Sequence, residues 1–212
     1  MSFEGEHITD TSFLLYFLLA DSFDLLGNLL GSPVQVPIDV YDPEDIQTQE
    51  ESAPPEDLLS EMRGAIKYYE HEAEQGGSTE DLRRLLQIDT LYKNGIIRPI
   101  EMSQAERFVA SQLRSVREAG QYGIKAVLGA GEAACVAIAN NRGWVIATDD
   151  TDALKVMDFL HGGRTYRYER IRKLLIRAAD DGFITMSKAN ILHEIMTTKG
   201  FWDRELPFPE TV

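Results

Sequence analysis

Four carboxylates stand where this chain could do metal chemistry. Asp10 follows a short apolar run, Glu132 opens an apolar helix pattern, and Asp149 and Asp150 close another apolar run. Further acids, Asp42 and Glu44, follow Val34 to Ile38. Carboxylates crowded into one pocket repel each other. Hard divalent cations relieve that repulsion, and Mg²⁺ or Mn²⁺ takes oxygen ligands while keeping waters that leave room for a phosphate. Two such ions can activate water and stabilise the leaving oxygen of a phosphodiester. The alternative is plain: Asp10, Asp149 and Asp150 all precede helical patterns, where an aspartate is an ordinary cap.

The elements that must bring these groups together are legible from periodicity. Between Gly129 and Gly143, the residues Ala133, Ala134, Val136, Ala137, Ile138 and Ala139 make an almost wholly apolar helix, the mark of a buried one. Trp144 to Thr148 reads as a strand covered on both faces. Glu6 to Thr9, Val34 to Ile38 and Ile96 to Ile100 are further strand candidates, and a short strand is expected after the helix at Ala153 to Leu160. Helices are expected at Phe13 to Leu19, with Thr11 or Ser12 as cap, and at Ser22 to Leu30. Others are expected from about Pro55 to Glu74, Ser78 to Lys93, Gln104 to Ala119, Tyr168 to Asp180 and Ser187 to Thr198. Glu106 sits at the capping-box position after Ser103. This alternation predicts an α/β fold, a short parallel sheet flanked by helices on both faces. Right-handed crossovers then place the strand ends, and with them the acids, on one edge, where open α/β sheets bind ligands.

The 212 residues suit one domain with a helical insertion at about 46–95. The single cysteine, Cys135, lies inside the apolar helix, which excludes a disulfide framework or a cysteine zinc site. Asp21 and Asp24 interrupt the apolar stretch Phe13 to Leu30, so it reads as buried helices rather than a membrane span, and a cytoplasmic setting is expected. The net charge of -14 argues against general nucleic-acid affinity and, with seven lysines against fourteen arginines, suits a salt-rich cytoplasm. One basic cluster stands out. Arg164, Arg167, Arg170, Arg172, Lys173 and Arg177 surround Tyr166 and Tyr168, a strip suited to RNA phosphates and unpaired bases or, equally, a solvated face paired with acids.

Taken in order, the pieces ITDTSFLLYFLLADSFDLLGNLL (8–30), VQVPIDV (34–40), LGAGEAACVAIA (128–139), VIATDD (145–150) and LLIRAADDGFIT (174–185) resemble the PIN domain family. This is a family of metal-dependent ribonucleases that includes toxins of toxin–antitoxin pairs. The resemblance implies a divalent-metal-dependent endoribonuclease in which Asp10, Glu132 and Asp150 hold Mg²⁺ or Mn²⁺ and serve catalysis, with Asp149 beside them. It also implies RNA as substrate, a protein antitoxin or a homodimer as partner, and no membrane. The family's second acid would fall on Pro43, a departure that leaves Asp42 or Glu44 to substitute, or leaves a degenerate module that binds RNA or protein without cutting. The rival reading takes GAGEAA as a dinucleotide-binding turn. It requires a strand at Ile124 to Leu128, and it would set Glu132 near the helix N-terminus meant for a pyrophosphate.

Overall fold

The computed structural model describes residues 6–44, 59–122, 127–162 and 164–203. Within them the chain runs β1 (His7–Thr9), α1 (Thr11–Leu19), α2 (Phe23–Leu30), β2 (Val34–Pro37), α3 (Glu61–Glu74), α4 (Thr79–Leu85), α5 (Gln87–Lys93) and β3 (Ile97–Ile100). It continues α6 (Gln104–Leu113), α7 (Val116–Ala119), α8 (Ala130–Arg142), β4 (Val145–Ala147), α9 (Thr151–His161), β5 (Tyr168–Glu169), α10 (Ile171–Asp180) and α11 (Met186–Thr198). The expected α/β class with a short parallel sheet is what forms. β4 lies between β1 and β5 in one parallel ladder, with Thr9 opposite Ala147 and Ala147 opposite Glu169. β2 and β3 make a second parallel ladder, with Val34 opposite Ile97, and β2 packs alongside β1.

Strand alternation sorts side chains to two cores. Ile8 and Ile146 face one core, shared with α8, Leu113 of α6 and Met157 of α9. Ala147, Val34 and Val36 belong to the other, with Phe13 and Phe17 of α1, Leu26 of α2, Leu174 of α10 and Leu192 of α11. Helices therefore cover both faces. Over residues 133–139 helix α8 is apolar and buried all round, and Gly143 stops it at φ 69°, where a side chain would be strained. It runs through Asn140 and Asn141 to Arg142.

The helix boundaries differ from expectation at four places, each for a local reason. Asp10, not Thr11 or Ser12, caps α1: its carboxylate accepts the Phe13 N–H. The segment expected as one helix over 78–93 turns at Leu86, which keeps near-helical dihedrals (φ -63°, ψ -16°), so neither glycine nor proline marks the break. Ser115 is extended and heads α7, dividing the helix expected over 104–119. Tyr168 and Glu169 are strand rather than helix, because the Glu169 carbonyl accepts the Thr148 N–H from β4. The first part of the helix expected from Pro55 lies outside the described residues, as do Ile124 to Ala126 of the strand that a dinucleotide site would need. The Ser103–Glu106 capping box forms as the sequence indicates.

Candidate metal centre

Three chain reversals build the site. Asp10 leaves β1 and enters α1, with its N–H bonded to the Ala147 carbonyl of β4 at 3.1 Å. The turn after β2 is stitched to the start of α3 by two backbone bonds, Glu61 N–H to the Asp39 carbonyl and Met62 N–H to the Val40 carbonyl, both 3.0 Å. Asp150 leaves β4 and caps α9 by accepting the Ala153 N–H at 2.6 Å. Between them opens a cleft of about 460 Å³, lined by Thr11, Ser12, Tyr16, Glu61, Glu132 and Asp150 among others. Asp10 lies behind it, only 1% exposed, and takes a hydrogen bond of 2.7 Å from Ser12 Oγ.

The residue that sequence reasoning missed is Glu61. It is the first residue of α3, where the helix dipole favours a negative charge. Its carboxylate accepts the Gly131 N–H at 2.7 Å and the Thr11 hydroxyl, so it ties the start of α3 to the starts of α8 and α1. Both glycines at the head of α8 leave room for carboxylates. A methyl group on Gly131 would collide with the Glu61 carboxylate and with Val40, and one on Gly129 with the Glu132 carboxylate. Asp42 instead accepts the N–H of Glu44 at 2.8 Å on an exposed turn, and neither residue lines the cleft. The signal for Glu61 was a Ser-Glu pair opening a periodic run, hidden because the helix was expected to begin earlier.

Electrostatics link the acids. Burial raises the Glu132 carboxyl to about 7, and the charges of Glu61, Asp10 and Asp150 add to the rise. Burial likewise raises Asp10 to about 7 against hydrogen bonds from Thr148, Ser12 and the Phe13 N–H, and the charge of Asp149 adds to it. Asp149 is also pushed up to about 7 by burial, opposed by the Ile171 N–H and by Arg170. The adjacent pair therefore divides. Asp150 faces the acidic cleft, whereas Asp149 accepts the Ile171 N–H at 3.1 Å and lines a second cleft on the far side.

That second cleft, about 480 Å³, gathers part of the basic cluster: Arg170, Arg172 and Lys173, with Ile176, Trp202 and Asp203. Arg164 and Arg167 are exposed, outside it. Arg177 turns inward to Glu169 at 3.0 Å. Tyr168 lies under the Lys173 ammonium, 5.1 Å from nitrogen to ring centre. Tyr166 is committed to the Leu154 carbonyl at 3.0 Å and leaves Tyr168 as the more accessible ring.

The donor set around the acidic cleft is all oxygen, which suits a hard divalent cation. As the side chains stand, no three His, Cys, Asp or Glu groups among the described residues converge on one point closely enough to hold an ion. Asp10 and Asp150 serve as helix caps, and Glu61 is held by Gly131 and Thr11. The Gly131 N–H, which a pyrophosphate would need in the dinucleotide reading, is thus already taken by a carboxylate. No helix among the described residues is long and apolar enough to cross a membrane. None of the protein-family profiles, curated proteins or solved structures compared with the chain matches it.

Proposed function

We propose that this chain is a Mg²⁺- or Mn²⁺-dependent endoribonuclease of PIN type, with Asp10, Glu61, Glu132 and Asp150 as its acids. One observation carries the reading: Glu61 arrives at the cleft from α3 and supplies the acid that Pro43 denies to the family pattern. Three carboxylates, from the starts of α3, α8 and α9, then line one opening with Asp10 behind it, and Asp10 and Glu132 are raised to about 7, chiefly by burial with the charges of other acids adding. Groups destabilised in this way release protons when a cation enters, so the protein is poised to gain a metal.

The chemistry follows from the residues. Glu61, Glu132 and Asp150 would hold the ions from the cleft wall, and Asp10 from its back. Bound Mg²⁺ or Mn²⁺ would supply Lewis acidity toward a phosphodiester and lower the pKa of water. Ser12 and Thr148 orient Asp10 through its carboxylate oxygens, and Thr148 also accepts the Asp150 N–H at 3.1 Å. One threonine thereby fixes the spacing of two acids. Thr11 and Gly131 do the same for Glu61.

A second reading keeps the fold and drops the cutting: a module that binds RNA or a protein partner. The engagement of Asp10, Glu61 and Asp150 in hydrogen bonds favours it. Calorimetric titration with Mn²⁺ separates the two. Binding by the wild type that Asp10→Asn/Asp150→Asn loses, followed by Mn²⁺-dependent cleavage of single-stranded RNA, supports the nuclease. Absence of Mn²⁺ binding at millimolar concentration in the wild type overturns it and leaves the binding module.

A further inference from the structure

The second cleft has a composition that metal binding does not use. Three cations, Arg170, Arg172 and Lys173, face two carboxylates, Asp149 and Asp203, beside an indole that is 57% exposed. In a protein of net charge -14, such a site is where a polyanion can approach. The mixture also matters. Inorganic phosphate offers acceptors for the cations but nothing for the indole. A nucleotide offers phosphate for the cations, a flat ring for the indole, and amine or hydroxyl donors for the two carboxylates.

Packed residues link this cleft to the acidic one by two routes. Asp149 lines its wall, and the next residue, Asp150, lines the acidic cleft. Tyr16 lines the acidic cleft and packs edge-on against Phe201, with ring centres 5.2 Å apart. Phe201 is buried and stands 6.1 Å from the Trp202 ring. The aromatic series Tyr16, Phe201, Trp202 therefore runs from the carboxylates to the cations, and the buried middle ring fixes the outer two.

Resting on the ribonuclease reading, we infer that the second cleft is a subsite for a nucleotide of single-stranded RNA flanking the scissile phosphate, with Trp202 stacking its base and Arg170 and Lys173 holding its phosphates. Stacking on an aromatic ring tolerates any base, so this subsite gives grip and direction rather than sequence choice. The chain is led away from the carboxylates over the cationic side, because the rest of so acidic a surface repels it.

The test is fluorescence anisotropy of labelled hexauridylate in EDTA, where no cleavage occurs. The wild type is expected to bind it about tenfold more tightly than an abasic hexamer of the same charge. Trp202→Ala should erase that margin, and Trp202→Phe should keep most of it. Arg170→Gln/Lys173→Gln should weaken both probes and flatten the salt dependence. Trp202 is exposed, and the circular dichroism of its variants should match the wild type.

Equal binding of the abasic hexamer, an unchanged margin in Trp202→Ala, or equal competition by hexaglutamate would each overturn the subsite. Equal affinity for uridine monophosphate would also overturn it, in favour of a free-nucleotide pocket. Cleavage in Mn²⁺ is read separately. Its loss with EDTA binding intact would remove the nuclease and keep the subsite, and the converse would remove the subsite alone.

Discussion

Two groups of buried carboxylates in this molecule meet opposite fates. Glu106, at the head of α6, is 1% exposed, yet it receives two hydrogen bonds from Arg142 at 2.7 and 2.8 Å, one from Asn141 at 3.0 Å and one from the Ser103 N–H at 2.7 Å. Arg142 above all holds its carboxyl down to about 2. Asp10 is buried and Glu132 half-buried, other acids lie near both, and burial lifts both to about 7 despite the hydrogen bonds that Asp10 accepts from Thr148, Ser12 and the Phe13 N–H. Burial alone therefore says little about a carboxylate's role. A partnered one holds the fold together. An acid left in the field of other acids costs stability and marks a candidate binding site.

The largest expected effect tests that contrast directly. Asp10→Asn or Glu132→Gln should lower Mn²⁺-dependent RNA cleavage by roughly a thousandfold, since several kcal/mol of metal-derived stabilisation goes with the site. In EDTA the same variants should melt no lower than the wild type. A variant that loses activity by unfolding would erase the distinction.

Glu106→Gln should do the reverse. Removing the charge from a buried pair whose arginine is partly exposed should cost about 2 kcal/mol in urea unfolding, with the cleavage rate per folded molecule unchanged. Gly131→Ala should show both effects at smaller size. The added methyl displaces Glu61 or Val40, costing about 1 to 2 kcal/mol of overpacking and weakening Mn²⁺ affinity in calorimetry.

The least direct test is a pH profile. Asp10, Glu132 and Asp149 have folded values near 7, above their unfolded values. Their contribution is full below about pH 4 and is lost as pH rises through 7. Glu106 has the opposite sign: its contribution is full above about pH 5 and is lost as pH falls through 2. Thermal unfolding in EDTA should therefore be most favourable to the fold between about pH 4 and 5 and less so at pH 8. Mn²⁺ should restore the loss at pH 8, because binding needs the deprotonated acids. A flat profile between pH 5 and 8 would show that the site acids are not held near neutrality.

The sequence carried the architecture because each signal was local. The apolar run of α8, the glycine stop at Gly143 and the capping box at Ser103 depend on neighbours within a turn or two. Asp10, Glu132 and Asp150 were visible for the same reason, each standing at the end of a recognisable element. Glu61 was not visible. Its partners, Gly131 and Thr11, lie 70 and 50 residues away, and nothing in the spacing of the α3 segment announces them. The division of Asp149 from Asp150 was equally hidden, since it depends on which helix start each side chain meets. Nothing in the sequence tells Trp202 from its neighbour Phe201. Only the fold shows that Phe201 takes the buried position and turns the indole outward.

The clamp between α3 and the turn after β2 has one further consequence. Glu61 is registered by backbone bonds to Asp39 and Val40 and by its grip on Gly131, not by the number of residues that separate it from the strand. Chain length between β2 and α3 is thus decoupled from the position of the fourth acid. The segment between them can grow, shrink or be severed without moving it, provided the helix still docks. In evolutionary terms this is a free site for insertion, and motif spacing is the wrong ruler for finding the acid beyond it. In engineering terms it is a place to split the chain into two fragments whose reassembly would restore the centre.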